Sequence, residues 1–327
     1  MRVYLSWDMV NIGMIIDADG HYTPNPNIFE QDSVITESEW AQKYHLRNSK
    51  KYSVIQQRNQ QLSELGLDQQ LLNPMDRGLR INYLIDPHIA IRVAKKYNDH
   101  MKEVCYDKRY DWNLWLPLQD RDCAFQELVR HDPCSYFAIF LSDSTHWGFI
   151  KNMHQIFDYA QQYRIPLYLH QTHIEDYLPI DQEFYVAQSR LRNAVFPAHR
   201  WKTTLASLFC SGVFKQYPNL RFVVAERDIH WIPDFLSTLI SAGIGDYNQI
   251  MRSNFWYTIE PEMPYFLNIA RELGYDRLLF ATDWPHNNDI GGRNSQQDVS
   301  TVRALPISEF ERQAIFSKNY IFLRHRL

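Results

Sequence analysis

A chain of 327 residues, 45% hydrophobic and 22% charged, can bury a large core and has the length of one big α/β barrel or two ordinary domains. Its formal net charge of −4, with no long basic run, argues against a nucleic-acid partner. No run of about 18 apolar residues is present to span a membrane.

The four cysteines (Cys105, Cys123, Cys134, Cys210) are scattered without a Cys-x-x-Cys pair. They read as free thiols in a reducing, cytoplasmic setting rather than as a zinc ribbon or disulfide framework. Trp7, Asp8 and Asn11 interrupt the N-terminal apolar stretch, and no small-residue cleavage site follows. No signal peptide is therefore expected.

The first element is the most informative. Met14, Ile15 and Ile16 run straight into Asp17, Ala18, Asp19, Gly20 and His21. An unbroken apolar run suits a strand buried on both faces, here Met14–Ala18. Two carboxylates and an imidazole at its end are costly to bury without partners. Spaced two apart, Asp17, Asp19 and His21 can share one face of a strand, where a metal ion is the simplest partner. The plain alternative is a strand running into a polar loop with an N-cap aspartate.

From Pro24 to Pro74 the chain is polar and glutamine-rich, with helical patterns over Ser38–Tyr44 and Val54–Leu65. This is long for a strand-to-helix connection, so residues 24–78 read as a helical insertion, a lid or wall of the site, or else as a solvated excursion. Leu79–Leu84 reads as the second strand. Asp86-Pro87 then opens a helix to Val104. Asn113–Leu116 reads as the third strand, followed by a helix from Asp120 to His131. Tyr136–Leu141 precedes a helix over Phe149–Tyr163. Pro166–His170 precedes an irregular stretch to Pro197 and a helix over Trp201–Tyr217. Phe222–Glu226, Phe255–Thr258 and Leu278–Thr282 are the last three strands, with helices at Trp231–Ser241 and Pro264–Leu273 between them. Ser308–Phe322 is the closing helix, with Ser308 and Glu311 in a capping-box pattern.

Eight short apolar runs alternating with helices predict an α/β chain folded as one (β/α)8 TIM barrel over residues 1–327. A doubly wound open sheet is the runner-up, weakened because no Gly-x-Gly-x-x-Gly follows any strand. In such a barrel the functional groups sit at the C-terminal ends of the strands. Strand one ends in Asp17, Asp19 and His21. Strand five ends in His170. Strand six ends in Glu226, with His230 shortly after, and strand eight ends in Asp283, with His286 and Asp289 beyond. Metal-ligand residue types thus terminate four of the eight runs, and a metal site is the reading that unites them.

Several segments together resemble a known family. They are Ile-Asp-Ala-Asp-Gly-His (16–21), Asp-Pro-His-Ile-Ala (86–90) with its helix through Tyr97-Asn98, and Leu-Pro-Leu-Gln-Asp (116–120). The rest are Gly-Val-Phe-Lys-Gln-Tyr-Pro-Asn-Leu-Arg (212–221), Ala-Glu followed by Trp-Ile-Pro (225–233), Ala-Thr-Asp-Trp-Pro-His (281–286) and Lys318-Asn319. In this order they resemble the amidohydrolase superfamily, in the branch related to aminocarboxymuconate semialdehyde decarboxylase, over nearly the whole chain. The resemblance implies Asp19, His21, His170 and Asp283 as metal ligands, with Glu226 at the position where strand six usually offers a histidine and His230 as its substitute. It departs from the branch where strand one ends Asp-x-His instead of His-x-His or Glu-x-His. It departs again after His21, where Tyr-Thr-Pro-Asn-Pro lacks the common Glu-Pro.

Two imidazoles and carboxylates suit a divalent cation, with Zn²⁺ as the default and Mn²⁺ or Fe²⁺ fitting the oxygen-rich set equally. No organic cofactor is expected. Asp283 is assigned the proton or the bound water, and Glu226 or His230 a proton shuttle. Three reactions compete: metal-dependent non-oxidative decarboxylation of a conjugated or aromatic acid, hydrolysis of an ester, lactone or amide, and non-haem iron oxygenation. The resemblance favours the first. Tyr22, Phe29, Tyr177, Phe184, Tyr185, Phe196 and Trp284 are expected to wall the pocket of a flat small-molecule substrate. Arg190, Arg192, Arg200 and Arg227 are candidates to grip its carboxylate. Trp40, Tyr44, Phe310, Phe316, Tyr320 and Phe322 exceed the apolar residues one barrel surface usually leaves exposed, so a homodimer is expected.

Overall fold

A computed structural model describes residues 13–41, 53–74, 86–142, 153–170, 201–225, 229–259, 266–285 and 295–327. Its strands are β1 (Ile16–Tyr22), β2 (Gln69–Pro74), β3 (Tyr110–Trp112), β4 (Leu114–Trp115), β5 (Ile139–Ser142), β6 (Leu167–His170), β7 (Phe222–Val224), β8 (Phe255–Ile259) and β9 (Leu278–Phe280). They form a three-stranded sheet, β1-β2-β3, and a six-stranded sheet, β4 through β9 in order. Every pairing is parallel.

The two sheets are one wall. β3 and β4 are a single stave interrupted at Asn113, and both halves bond the chain entering β5, Phe137 N–H to Trp112 O at 2.8 Å and Leu114 N–H to Ala138 O at 2.8 Å. At the other seam Gly20 bridges Trp284 in parallel, and His21 N–H donates to Trp284 O at 2.8 Å. The result is a (β/α)8 barrel and not an open sheet. Buried on both faces, its staves use apolar runs such as Leu-Tyr-Leu in β6 and Phe-Val-Val in β7.

Helices pack outside the staves where the sequence gives them start signals. Asp86 caps Pro87–Val104 by accepting from His88 N–H, and Asp120 caps Arg121–Arg130 by accepting from Cys123 N–H. Ser308 and Glu311 form the capping box of the helix Glu309–Gln313. The closing helix is not uniform: a π turn over Ala314–Lys318 leads into Asn319–Arg324. There the buried Asn319 amide donates to Tyr275 O at 2.8 Å and Leu278 O at 2.7 Å, anchoring the start of β9. No helix among the described residues is long and apolar enough to cross a membrane.

Two expectations change. The second strand is Gln69–Pro74, inside the stretch read as insertion, and Leu79–Leu84 lies outside the described residues. The excursion therefore ends before residue 69. Gln70 and Asn73 give the stave a polar look because both are buried against polar groups of β1. The apolar residues offered as a dimer surface are also mostly internal. Trp40 packs on Phe29, Phe316 on Phe280, and Tyr320 stacks on Phe137, all buried. Phe322 is half-buried, Tyr44 lies outside the described residues, and Phe310 alone of the six is exposed, at 69%. The closing helix spends its aromatic residues covering the barrel.

Candidate metal centre

β1 carries Asp17, Asp19 and His21 through the wall itself, since the strand runs on to Tyr22. Its pairing with β2 slips between Asp17 and Gly20. Asp19 and His21 converge with His170, the last residue of β6, and one ligand atom from each lies within 4.8 Å of the other two. All three are buried. His170 Nε2 is 3.9 Å from Asp19 Oδ1, and the His21 and His170 rings meet edge to face with centroids 4.9 Å apart. Asp283 follows β9 and reaches the group through His21, with Oδ1 3.0 Å from His21 Nε2. It holds φ = 54°, in the left-handed region.

Asp17 is not part of that convergence. Its Oδ1 accepts from Asp19 N–H at 3.1 Å and from Thr282 N–H at 2.9 Å. Its Oδ2 accepts from Thr282 Oγ1 and from Gln70 Nε2, each at 2.6 Å. Burial pushes its carboxyl above the ordinary range, against the pull of these bonds. Asp17 thus ties β1 to the chain just after β9 and to β2.

The polar residues of β2 and the next stave complete the support. Asn73 donates to Asp19 Oδ1 at 2.6 Å and accepts from the Asn113 amide at 2.6 Å. Tyr168, on β6, donates to Ala18 O at 2.8 Å, and burial pushes its phenol well up. Gln70 presses so closely on Gly20 that an added Cβ would meet its Cδ at 2.4 Å, so any side chain at this step of β1 would have to displace the Gln70 amide. Arg58, on the excursion helix Ile55–Leu65, is 1% exposed and donates to Gln70 Oε1 at 2.5 Å and to the His21 carbonyl. Burial lowers its guanidinium to about 10, which leaves it protonated at neutral pH.

Of the residues the sequence singles out, the structure therefore brings together Asp19, His21, His170 and, through His21, Asp283. His230 lies in the turn Ile229–Trp231 and is exposed, outside the converging set. Glu226, His286, Asp289, Arg190, Arg192, Arg200 and Arg227 lie outside the described residues, as do Tyr177, Phe184, Tyr185 and Phe196. Tyr22 and Phe29, expected in the pocket wall, are core instead: Tyr22 pairs its hydroxyl with His100 Nε2 at 3.0 Å, and Phe29 packs on Trp40. Trp284 is half-buried beneath the Arg58 guanidinium, 4.3 Å from its ring centre. Sequence reasoning missed Arg58, Gln70, Asn73, Asn113 and Thr282. One signal was present: Arg58 occupies a slot of the apolar stripe Ile55, Arg58, Leu62, Leu65, where a charged residue is out of place.

A carboxylate and two imidazoles gathered in a buried cluster match the protein share of an open divalent-cation site, which keeps positions for water or substrate. The chain is similar to several known proteins. A family model described as Amidohydrolase matches residues 125–319. The chain is 22% identical over 308 residues to gamma-resorcylate decarboxylase of Polaromonas sp. strain JS666, covering 84% of this chain and 88% of that protein. Among solved structures, 5-carboxyvanillate decarboxylase of Novosphingobium aromaticivorans, with bound manganese and 3-methoxy-4-hydroxy-5-nitrobenzoic acid, superposes with a TM-score of 0.74 at 18% identity, covering 96% of this chain and 98% of that one. Dihydroxybenzoic acid decarboxylase of Polaromonas sp. JS666, with bound manganese and the inhibitor 2-nitroresorcinol, superposes with a TM-score of 0.69 at 19% identity, covering 95% and 96%.

Proposed function

The chain belongs to the amidohydrolase family of enzymes, and on that premise we propose that it is a metal-dependent, non-oxidative decarboxylase of a small aromatic carboxylic acid. The observation that carries the reading is the buried convergence of Asp19, His21 and His170, with Asp283 hydrogen-bonded to His21 at the barrel's functional end. The decarboxylases named above support the choice of reaction.

Asp19, His21 and His170 would hold a divalent cation. The oxygen donor and the manganese in both structural neighbours favour Mn²⁺ over the Zn²⁺ first expected, with Fe²⁺ a further alternative. When bound, such a cation supplies a positive centre that orients the oxygens of an anionic substrate. The rest falls to the chain's own residues. Asp283, partly open to the mouth of the site, gives its proton to the ring carbon that carries the carboxylate. The carbon–carbon bond then breaks, its electron pair restores the ring, and carbon dioxide leaves. Asp283 is reprotonated from solvent, with Glu226 and the exposed His230 as the relay. Asp283 Oδ1 stands 3.0 Å from His21 Nε2, which keeps the carboxyl beside the site; that nitrogen serves either this hydrogen bond or a cation, not both at once.

The test is an assay for carbon dioxide release from 2,6-dihydroxybenzoate and 5-carboxyvanillate by the manganese-loaded chain, before and after chelation. Release that stops on chelation and returns with Mn²⁺ is expected. Metal-dependent hydrolysis of esters, lactones or amides without carbon dioxide release, or oxygen uptake by an iron form, overturns it.

A further inference from the structure

Arg58 does not belong to the barrel. It comes from the excursion between β1 and β2, yet it is one of the largest fully buried side chains of the molecule. A buried guanidinium is costly unless its hydrogen bonds are met and an opposite charge stands near. Its two terminal nitrogens are spent on the machinery around the candidate ligands. One donates to the backbone carbonyl of His21, and the other to Gln70 Oε1 at 2.5 Å. Gln70 in turn donates to Asp17 Oδ2, so the amide links a buried cation to a buried carboxylate, and its orientation is fixed from both ends. The guanidinium carbon lies over the ring of Trp284, the residue after Asp283, 4.3 Å from its centre.

Arg58 therefore touches one half of a pair and the chain neighbour of the other. It holds the backbone of His21, and it packs on the neighbour of the Asp283 that bonds His21 Nε2. We infer that Arg58 is a positioning residue: from the excursion helix it sets the His21–Asp283 pair for metal binding, so that this helix is a fixed brace of the metal centre. The inference rests on the proposed metal site. Arg58 acts through the residues it bonds and packs on, His21, Gln70 and Trp284. Its planar fork, not its charge alone, does the work, because only a fork reaches the His21 carbonyl and Gln70 together while stacking on Trp284.

The experiment compares Mn²⁺ binding by the full-length parent, Arg58→Lys and Arg58→Met, using calorimetry and the Mn²⁺ electron paramagnetic resonance signal, with metal-free thermal unfolding measured alongside. Losing an outer partner of a metal ligand typically weakens binding about 10- to 100-fold. We expect Arg58→Met to fall in that range with an altered Mn²⁺ spectrum, and Arg58→Lys, which keeps the charge and reaches one acceptor, to lie between it and the parent. Should Arg58→Met fail to fold, Arg58→Lys decides alone, since a loss of about fivefold or more is still required of it. A variant that melts earlier yet binds Mn²⁺ within about twofold of the parent, with an unchanged spectrum, overturns the inference and leaves Arg58 a structural residue. A parent that takes up no divalent cation overturns the metal reading, and this inference with it.

Discussion

Asp283 holds a left-handed backbone, φ = 54°, that few side chains adopt without strain. Asparagine shares that tolerance with aspartate, so Asp283→Asn leaves the backbone at ease and removes the acidic proton. The variant should keep its melting temperature and bind Mn²⁺, while carbon dioxide release falls at least about 100-fold, the usual share of a positioned general acid. Turnover close to that of the parent would leave Asp283 a structural partner of His21. Residues of this kind were legible in the sequence because an acid or histidine at the end of an apolar run is anomalous: Asp19, His21, His170 and Asp283 all announce themselves that way. Gln70, Asn73 and Asn113 did not, since amides are common on surfaces and carry no sign of burial until their partners are in place. Asp17 was legible as a buried acid but not as a strut, because the slip in pairing before Gly20 cannot be read from spacing.

Elements with caps were legible at their starts, as at Asp86, Asp120 and Ser308. β2 was not, because two of its six residues are polar amides turned to the site and it lacks the β-branched residues that mark a strand. The helices Pro87–Val104 and Arg121–Arg130 are joined to β4 by a buried polar knot. Asn98 bonds Trp115 through both its amide oxygen and its nitrogen, and also donates to Glu127 at 2.9 Å. Burial alone would raise the Glu127 carboxyl, but His131, Arg130 and Asn98 outweigh it and hold it at about 2. A carboxylate held below its unfolded value stabilises the fold fully above that value, about 4.5, and loses this contribution as pH falls towards 2. The amount is on the order of 3 kcal/mol. Thermal melts from pH 6 to pH 3 should show the parent losing stability steadily below pH 5. Glu127→Gln should be less stable at pH 6 and show a flatter decline; an identical slope would remove Glu127 from the account.

At the scale of the molecule, the barrel was legible from the alternation of eight runs with helices, and its closure followed from the count. What alternation could not show is how the far end is sealed. Asp111, buried at the start of β3, accepts from the Arg324 side chain and from Tyr320 at 3.2 Å. Arg324 also donates to Cys134 O at 3.0 Å, and Arg326 reaches Pro133 O. This C-terminal clamp lies at the end of the staves opposite the metal centre, where residues serve stability and not chemistry. Arg324→Ala would strand the Asp111 charge and should cost about 3 kcal/mol in denaturant unfolding. Mn²⁺ affinity should stay unchanged; a coupled loss of affinity would show that the two ends of the barrel communicate.

The spread of the candidate ligands along the chain also orders events in time. Asp19 and His21 stand on β1, in the first third of the chain, whereas His170 ends β6 and Asp283 follows β9. Among the described residues the three converging donors come from two distant stretches of chain, and the seam between β1 and the last stave is made by residues beyond β9. A nascent chain leaving the ribosome exposes its first donors long before the last stave exists. A cation at the proposed site would therefore meet a finished barrel: it would act as a late lock that slows unravelling, not as the seed around which the chain first collapses.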